Sequence, residues 1–171
     1  AVGMTTNIPP HNLNEIADAV LYLVDNPKAE SEDLAEIVTG PDFPTGGIIF
    51  DKKAIAAAYT SGKGRITTRA KAEIEERKGS KSAFDIAVSE IPYQVNKAEL
   101  IARIAELAEA KKIEGIRDIR DESDREGLRI VVELKGDAAP QKVLNQLYQF
   151  TDLQKDFHVN ILALVDGLQP R

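Results

Sequence analysis

The sequence predicts an α/β fold, more narrowly an α+β fold, in which helices pack against an antiparallel sheet. Residues 82–165 contain predicted elements in the order strand, helix, strand, strand, helix, strand, which matches a split βαβ arrangement with both helices on one face. Residues 64–77 alternate in polarity as one long strand, and residues 82–91 return as its hairpin partner. At 171 residues, with 43% hydrophobic residues, the chain is long enough to bury a sizeable core.

Two helices are predicted before residue 40. Apolar residues recur at helical spacing between residues 13 and 24, and Asn12 is well placed as the N-cap of this segment. The following segment, SEDLAEIV, has Ser31 as its predicted cap and acidic residues in its first turn, where the helix dipole favours them.

A turn and a third helix follow. Residues 40–47, GPDFPTGG, contain two Pro and three Gly, a density that no regular element tolerates, so an ordered turn or linker is predicted. GIIF then reads as a short buried strand. The next segment, DKKAIAAAYTSG, is a predicted helix that ends near Gly62.

The second half of the chain contains two further predicted helices and the last strand. Asn96 is the predicted N-cap of NKAELIARIAEL, and Gly115 is predicted to close that helix. Pro140 begins PQKVLNQLYQF, in a first-turn position that tolerates proline because its missing N–H would have no helical partner. Residues 153–165 are the predicted last strand of the sheet.

Positive charge is concentrated in one part of an acidic chain. The formal net charge is −6, and residues 1–50 carry one Lys against eight acidic residues. Residues 51–81 carry nine Lys or Arg against four acidic residues. Because exposed charges are screened beyond about 8–10 Å at physiological salt, such a local basic segment can attract a polyanion even on an acidic protein.

The segment KGRITTRAK, residues 63–71, places cations at alternate positions. A strand rises about 3.3 Å per residue, so these side chains would share one side of a strand roughly 26 Å long. That length suits contacts with successive phosphates of a DNA duplex, and without aromatic residues on this side we expect no base stacking. The alternative interpretation is a solvated strand face without a ligand. The four cations, here called the cation row, are Lys63, Arg65, Arg69 and Lys71.

Lys97 is a further candidate for phosphate binding. It directly follows the predicted cap Asn96, and the N-terminus of a helix favours anions.

Several other kinds of chemistry are not predicted. Cysteine is absent, which excludes disulfides and cysteine metal sites and fits a reducing compartment. His11 and His158 have no companion at ligand spacing, and the acidic run at 120–126 favours a charged hairpin turn over a cation loop. No GxSxG, P-loop or Rossmann glycine pattern occurs. The four tyrosines are predicted to be packing residues, so no catalytic residue, metal or cofactor is assigned to this chain.

Long phrases of the sequence resemble the A subunits of bacterial type II DNA topoisomerases. They include AVGMTTNIPPHNLNEI, GPDFPTGGII, AAYTSGKGRITTRAKAEIE, EIPYQVNKAELIARIAEL and IEGIRDIRDESDREGLRIVVELK, in family order along the chain. The A subunit of DNA gyrase is the first identification, and the topoisomerase IV A subunit is a close second. The resemblance implies a fragment in which residues 1–45 are the end of the winged-helix region with linker helices, and residues 46–171 are the tower α/β domain.

The resemblance also implies a function for the larger protein. Such a subunit breaks and reseals DNA in an isomerase that changes supercoiling by ATP-dependent double-strand passage. Its nucleophilic tyrosine would lie upstream of this chain, so the fragment alone is expected to be inactive. The implied partners are double-stranded DNA, a second A subunit, which completes a homodimer, and the B subunit, which holds ATP and Mg²⁺. A cytoplasmic location without a membrane role is expected.

Two other classes of function stay open on residue patterns alone. A split βαβ domain could serve as a regulatory module for a small ligand, which would require a pocket and a saturable response. It could also be a dimerisation scaffold, which would not bind a duplex at low salt.

Overall fold

The structure is a computed structural model that describes residues 5–79, 83–165 and 169–170. It combines helices with antiparallel sheet, which confirms the α+β prediction. The described residues form two compact units. The first contains the residues up to Pro44, then Ile49–Thr67, and the described residues from Asp156 onward. The second contains Thr45–Ile48 and the described residues of Thr68–Lys155. The assignment of residues 1–45 and 46–171 to two family domains stays a prediction.

The described residues contain five helices and nine strands. The helices are α1 (Leu13–Asp25), α2 (Ser31–Ile37), α3 (Lys52–Ser61), α4 (Lys97–Glu109) and α5 (Pro140–Phe150). The strands are β1 (Ile48–Ile49), β2 (Lys63–Arg69), β3 (Lys71–Glu76), β4 (Phe84–Glu90), β5 (Ile116–Asp121), β6 (Ile130–Leu134), β7 (Gln154–Asn160), β8 (Leu164–Val165) and β9 (Gln169–Pro170).

The helix ends of the first unit follow from local side-chain chemistry. The Asn12 side chain caps α1 by accepting hydrogen bonds from two backbone N–H groups, as predicted. The cap of α2 is Glu30 rather than the predicted Ser31, because Glu30 and Asp33 form a reciprocal capping box. Helix α3 ends at Gly62, which adopts a left-handed conformation with φ 69°.

The core of the first unit lies between α3 and strands β2 and β7. Its buried members are Ile55 and Ala58 from α3, Ile66 from β2 and Val159 from β7. Strands β1, β2 and β7 form a three-stranded sheet in that order. Helix α3 therefore covers one side of β2 in this unit.

The second unit is built on a four-stranded antiparallel sheet in the order β3-β4-β6-β5. Helices α4 and α5 pack on one face, where their apolar stripes meet alternate residues of the strands. The fully buried side chains of this core include Ile86, Ile104, Ile130, Val132 and Leu147. The N-cap of α4 is Asn96, as predicted, but the helix ends at Ala110 rather than at Gly115.

The predicted place of the last strand was wrong. Strand β7 ends at Asn160 and lies beside β2 in the three-stranded sheet, not in the four-stranded sheet. The reason is that β3 pairs with β4 along the whole of β3 and so occupies the side of β4 that a split βαβ fold gives to its last strand. The β3–β4 hairpin itself is confirmed, although residues 80–82 lie outside the described residues.

Candidate nucleic-acid interface

In the first unit, α3 fixes the direction of the cationic side chains of β2. Ile66 is fully buried against Ile55 and Ala58, so the even-numbered side of β2 faces α3. Gly64 lies on the same side, and a Cβ there would be 2.6 Å from the Ala58 Cβ, which explains the glycine. Since side chains alternate along a strand, the odd-numbered residues of β2 point away from α3.

The two members of the cation row that belong to the first unit lie on this outward side. Lys63 is exposed, and the Arg65 side chain is 68% exposed. Arg65 approaches Asp156 of β7 at 3.6 Å between Nη1 and Oδ2, and Thr67 donates a hydrogen bond of 2.6 Å to the other oxygen of the same carboxylate. Asp156 is thus held by Thr67, and its contact with Arg65 is loose enough for Arg65 to accept another anion.

In the second unit, Arg69 contacts Gln154 and Tyr148. Its Nε donates a hydrogen bond of 2.6 Å to Gln154 Oε1, and its guanidinium lies 5.0 Å from the centre of the Tyr148 ring. Burial raises the pKa of Tyr148, and the charge of Arg69 opposes that rise. The amide of Gln154 and the ring of Tyr148 therefore both orient the guanidinium.

Lys71 begins a different strand from the other three cations, which corrects the single strand predicted over 64–77. The Ala70 N–H donates to the Leu153 carbonyl at 2.7 Å, whereas Lys71 pairs with Glu90 at the start of the β3–β4 ladder. The chain changes its pairing partner at Ala70, so β2 ends there. Lys71 remains exposed on β3.

Lys97 is engaged by an acid. Its Nζ lies 2.7 Å from Asp121 Oδ2, with both side chains little more than one-third exposed. The hydrogen bond from Lys97, followed by those from Ser123, lowers the pKa of Asp121 to about 2. Lys97 would therefore have to share or leave Asp121 in order to contact a phosphate.

Sequence reasoning missed the residues that orient the cation row. Asp156 and Gln154 come from β7 and lie more than 80 positions from their partners in the chain. Tyr148 was predicted to be a packing residue, yet it also lies against Arg69. The only signal in the sequence was the polar residue at every second position of QKDFHVN, and this pattern does not show which side chain each polar residue contacts.

A second cluster of basic side chains lies on the face of the four-stranded sheet opposite α4 and α5. Its central carboxylate, Glu133, has a side chain that is 13% exposed. It forms ion pairs with Arg77, Arg117 and Arg120, with nitrogen-to-oxygen distances of 3.4, 3.3 and 2.5 Å. Arg129 pairs with Glu75 in the same way, at 2.8 Å. This cluster, here called the paired face, consists of Glu75, Arg77, Asp85, Arg117, Arg120, Glu122, Arg129 and Glu133.

Neither a metal cluster nor a membrane-spanning helix occurs in the described part of the chain. Among these residues, no group of three or more His, Cys, Asp or Glu side chains is arranged to hold a metal ion. None of the helices that the structure describes is long and apolar enough to cross a membrane.

Comparison with known proteins identifies the family. The family described as the A subunit of DNA gyrase and topoisomerase IV matches residues 1–171. The chain belongs to this family.

Curated relatives of both kinds are similar to this chain. The DNA gyrase A subunit of Dehalogenimonas lykanthroporepellens is 54% identical over 98% of the chain, and that of Clostridium acetobutylicum is 56% identical over 98%. The DNA topoisomerase 4 A subunit of Streptococcus pyogenes serotype M18 is 52% identical over 100% of the chain. The chain covers 20% of the length of each of these relatives, so it corresponds to about a fifth of such a protein.

Proposed function

We propose that this chain is the part of a DNA gyrase or topoisomerase IV A subunit that holds the cleaved DNA duplex by its phosphates. The observation that carries the proposal is the cation row, in which Lys63, Arg65 and Lys71 are exposed. Within the described residues, neither lysine of the row has an acidic group within the 4.0 Å of an ion pair. Exposed cations without an acidic partner can bind phosphates and release condensed counterions.

The intact enzyme would use this grip during double-strand passage. In that role the A subunit cuts and reseals a gate duplex as a homodimer. It acts with a B subunit that binds ATP and Mg²⁺, and the enzyme works in the cytoplasm. The names of the gyrase relatives favour a change of supercoiling as the activity. The Streptococcus pyogenes relative favours decatenation by topoisomerase IV as the second candidate. The nucleophilic tyrosine would belong to another part of the subunit, so we expect no cleavage by this chain alone.

Phosphate contacts would contribute to bending of the gate duplex. Smooth bending of a site of about 20–30 base pairs costs of order 1–6 kcal/mol, which contacts on the arms of the duplex can offset in part. Because phosphates carry no direct sequence information, the row would position DNA without selecting a base sequence.

The salt dependence of duplex binding tests this proposal. In the intact A subunit, Lys63→Gln, Arg65→Gln and Lys71→Gln would be combined, and the affinity for a duplex of about 30 base pairs measured across a salt series. Each lost phosphate contact lowers the slope of log K against log salt by about 0.9, so the triple variant should lose about 2–3 in slope.

A matched variant controls for the change in net charge. Lys28, Lys111 and Lys142 are exposed lysines outside the row, and their replacement by Gln removes the same total charge. This control should keep a slope close to that of the unchanged protein. Equal losses of slope in both variants would show a diffuse effect of net charge and contradict the assignment.

A further inference from the structure

In the GPDFPTGG segment, Gly47 binds the carboxylate of Glu90 and Gly46 lies against it. The backbone N–H of Gly47 donates a hydrogen bond of 2.7 Å to Glu90 Oε2, within the second unit. Gly46 and Gly47 have φ values of 73° and 96°, a conformation that favours glycine. A Cβ at Gly46 would overlap the Glu90 carboxylate, so this contact requires glycine at that position.

Gly47 is also packed closely against the end of β2. A Cβ at this position would lie 2.9 Å from Thr68 Cγ2 and 3.1 Å from the carbonyl oxygen of Arg69. The loop therefore sits directly on the backbone of Arg69 while it binds Glu90. Both glycines serve a defined contact, in addition to making the turn that the sequence predicts.

Glu90 has a second potential partner, Lys71. The two residues are Cα partners at the end of the β3–β4 ladder, next to a register shift between Lys71 and Ala72, and opposite charges on paired strands attract. Among the described residues, however, Lys71 has no ion pair, and the half-buried Glu90 carboxylate is bound by the glycine loop instead. A hydrogen bond to a charged acceptor is strong enough to compete with an exposed ion pair.

We propose that the Gly46-Gly47 loop withholds the Glu90 carboxylate from Lys71 and so keeps the Lys71 amine available for a DNA phosphate. Glu90, Gly46 and Gly47 are then positioning residues for the duplex contact of Lys71. This inference rests on the proposed function, because Lys71 must contact the duplex for the loop to affect binding. A released Glu90 would neutralise Lys71 and remove about one phosphate contact from the salt dependence.

Four variants of the intact A subunit test this role through duplex binding. Lys71→Gln gives the slope expected when the Lys71 contact is lost. Gly46→Ala should displace Glu90 and lower the slope of log K against log salt by about 0.9, as Lys71→Gln does. Glu90→Gln should leave the slope unchanged, and the double variant Gly46→Ala/Glu90→Gln should restore it because no carboxylate remains to pair with Lys71. A double variant as weak as Gly46→Ala would overturn the proposal, since distortion of the loop would then explain the loss.

A measurement without DNA separates this inference from the proposed function. The rate at which Lys71 reacts with an amine-acylating reagent, read by mass spectrometry, should be the same in the unchanged protein and in Glu90→Gln. It should fall in Gly46→Ala. A much faster reaction in Glu90→Gln would show that Glu90 already pairs with Lys71 and would overturn the proposal, even if Gly46→Ala failed to fold.

If Lys71→Gln leaves the salt slope unchanged, the Lys71 part of the proposed function fails, while the acylation rates still test the loop.

Discussion

The cation row and the paired face are both rich in basic side chains, but they differ in how these charges are compensated. On the paired face, one carboxylate, Glu133, is shared by Arg77, Arg117 and Arg120. In the cation row, Arg65 has a single loose contact with Asp156 at 3.6 Å and is 68% exposed. Basic residues that are matched by carboxylates stabilise a sheet, whereas unmatched ones can bind an external anion. The number of cations alone does not distinguish these roles.

The paired face should give the largest effect on stability. Glu133→Ala would leave three guanidinium groups close together without their common acceptor, so we expect a melting temperature lower by about 4–8 °C. Glu133→Gln, which keeps one acceptor oxygen, should have a smaller effect. Thermal unfolding followed by circular dichroism measures both, and an unchanged melting temperature for Glu133→Ala would show that the network is not stabilising.

The cation row should show the opposite behaviour. In the intact protein, Arg65→Ala is expected to weaken duplex binding about 3–10-fold at low salt, since one phosphate contact is lost. The free energy of unfolding should change by no more than about 0.5 kcal/mol because the side chain is exposed. Fluorescence anisotropy and chemical denaturation measure the two quantities. If Arg65→Ala greatly lowered stability but left duplex binding normal, the cation row would stabilise the fold rather than bind DNA.

Lys97 lies between these two cases, since it is paired but accessible. Asp121→Asn removes the charge that competes for Lys97, so duplex affinity should rise by about twofold at low salt. The rise should disappear when Asp121→Asn is combined with Lys97→Met. If Asp121→Asn has the same effect in both backgrounds, Lys97 is not the group that contacts the duplex.

The smallest expected effect is the pH dependence of the Lys97–Asp121 pair. The pKa of Asp121 is about 2 in the folded chain, below the value near 3.9 of an unfolded aspartate. Its contribution to stability is therefore fully present above about pH 4 and is lost as the pH falls through 2. A carbon-detected NMR titration of Asp121 checks this, and Lys97→Met should raise the Asp121 pKa towards 3.9. A titration midpoint that does not respond to Lys97→Met would contradict the assigned cause.

Local chemistry explains which parts of the fold could be predicted from the sequence. Asn12 and Asn96 were identified as caps because an N-cap interaction involves only the next three residues. The alternation of residues 63–69 agrees with the structure, in which Ile66 on the even-numbered side of β2 packs on α3. Both features depend on residues that are close in sequence.

Long-range pairing explains what the sequence did not reveal. Ala70 continues the alternating pattern, so nothing marks it as the point where the pairing changes from β7 to β4. The roles of Glu90 and Gly46 were hidden for the same reason, since they lie 44 positions apart and meet only in the folded chain. The two glycines predicted a turn but not the carboxylate that the turn binds.

Protection of individual lysines by a bound duplex tests the role of the cation row most directly. Amine acylation of the intact A subunit would be measured by mass spectrometry with and without a saturating duplex of about 30 base pairs. If the cation row binds DNA, Lys63 and Lys71 become much less reactive when the duplex is bound, while Lys28 and Lys142 keep their reactivity. If Lys63 and Lys71 react equally fast in the presence and absence of the duplex, the cation row does not contact DNA.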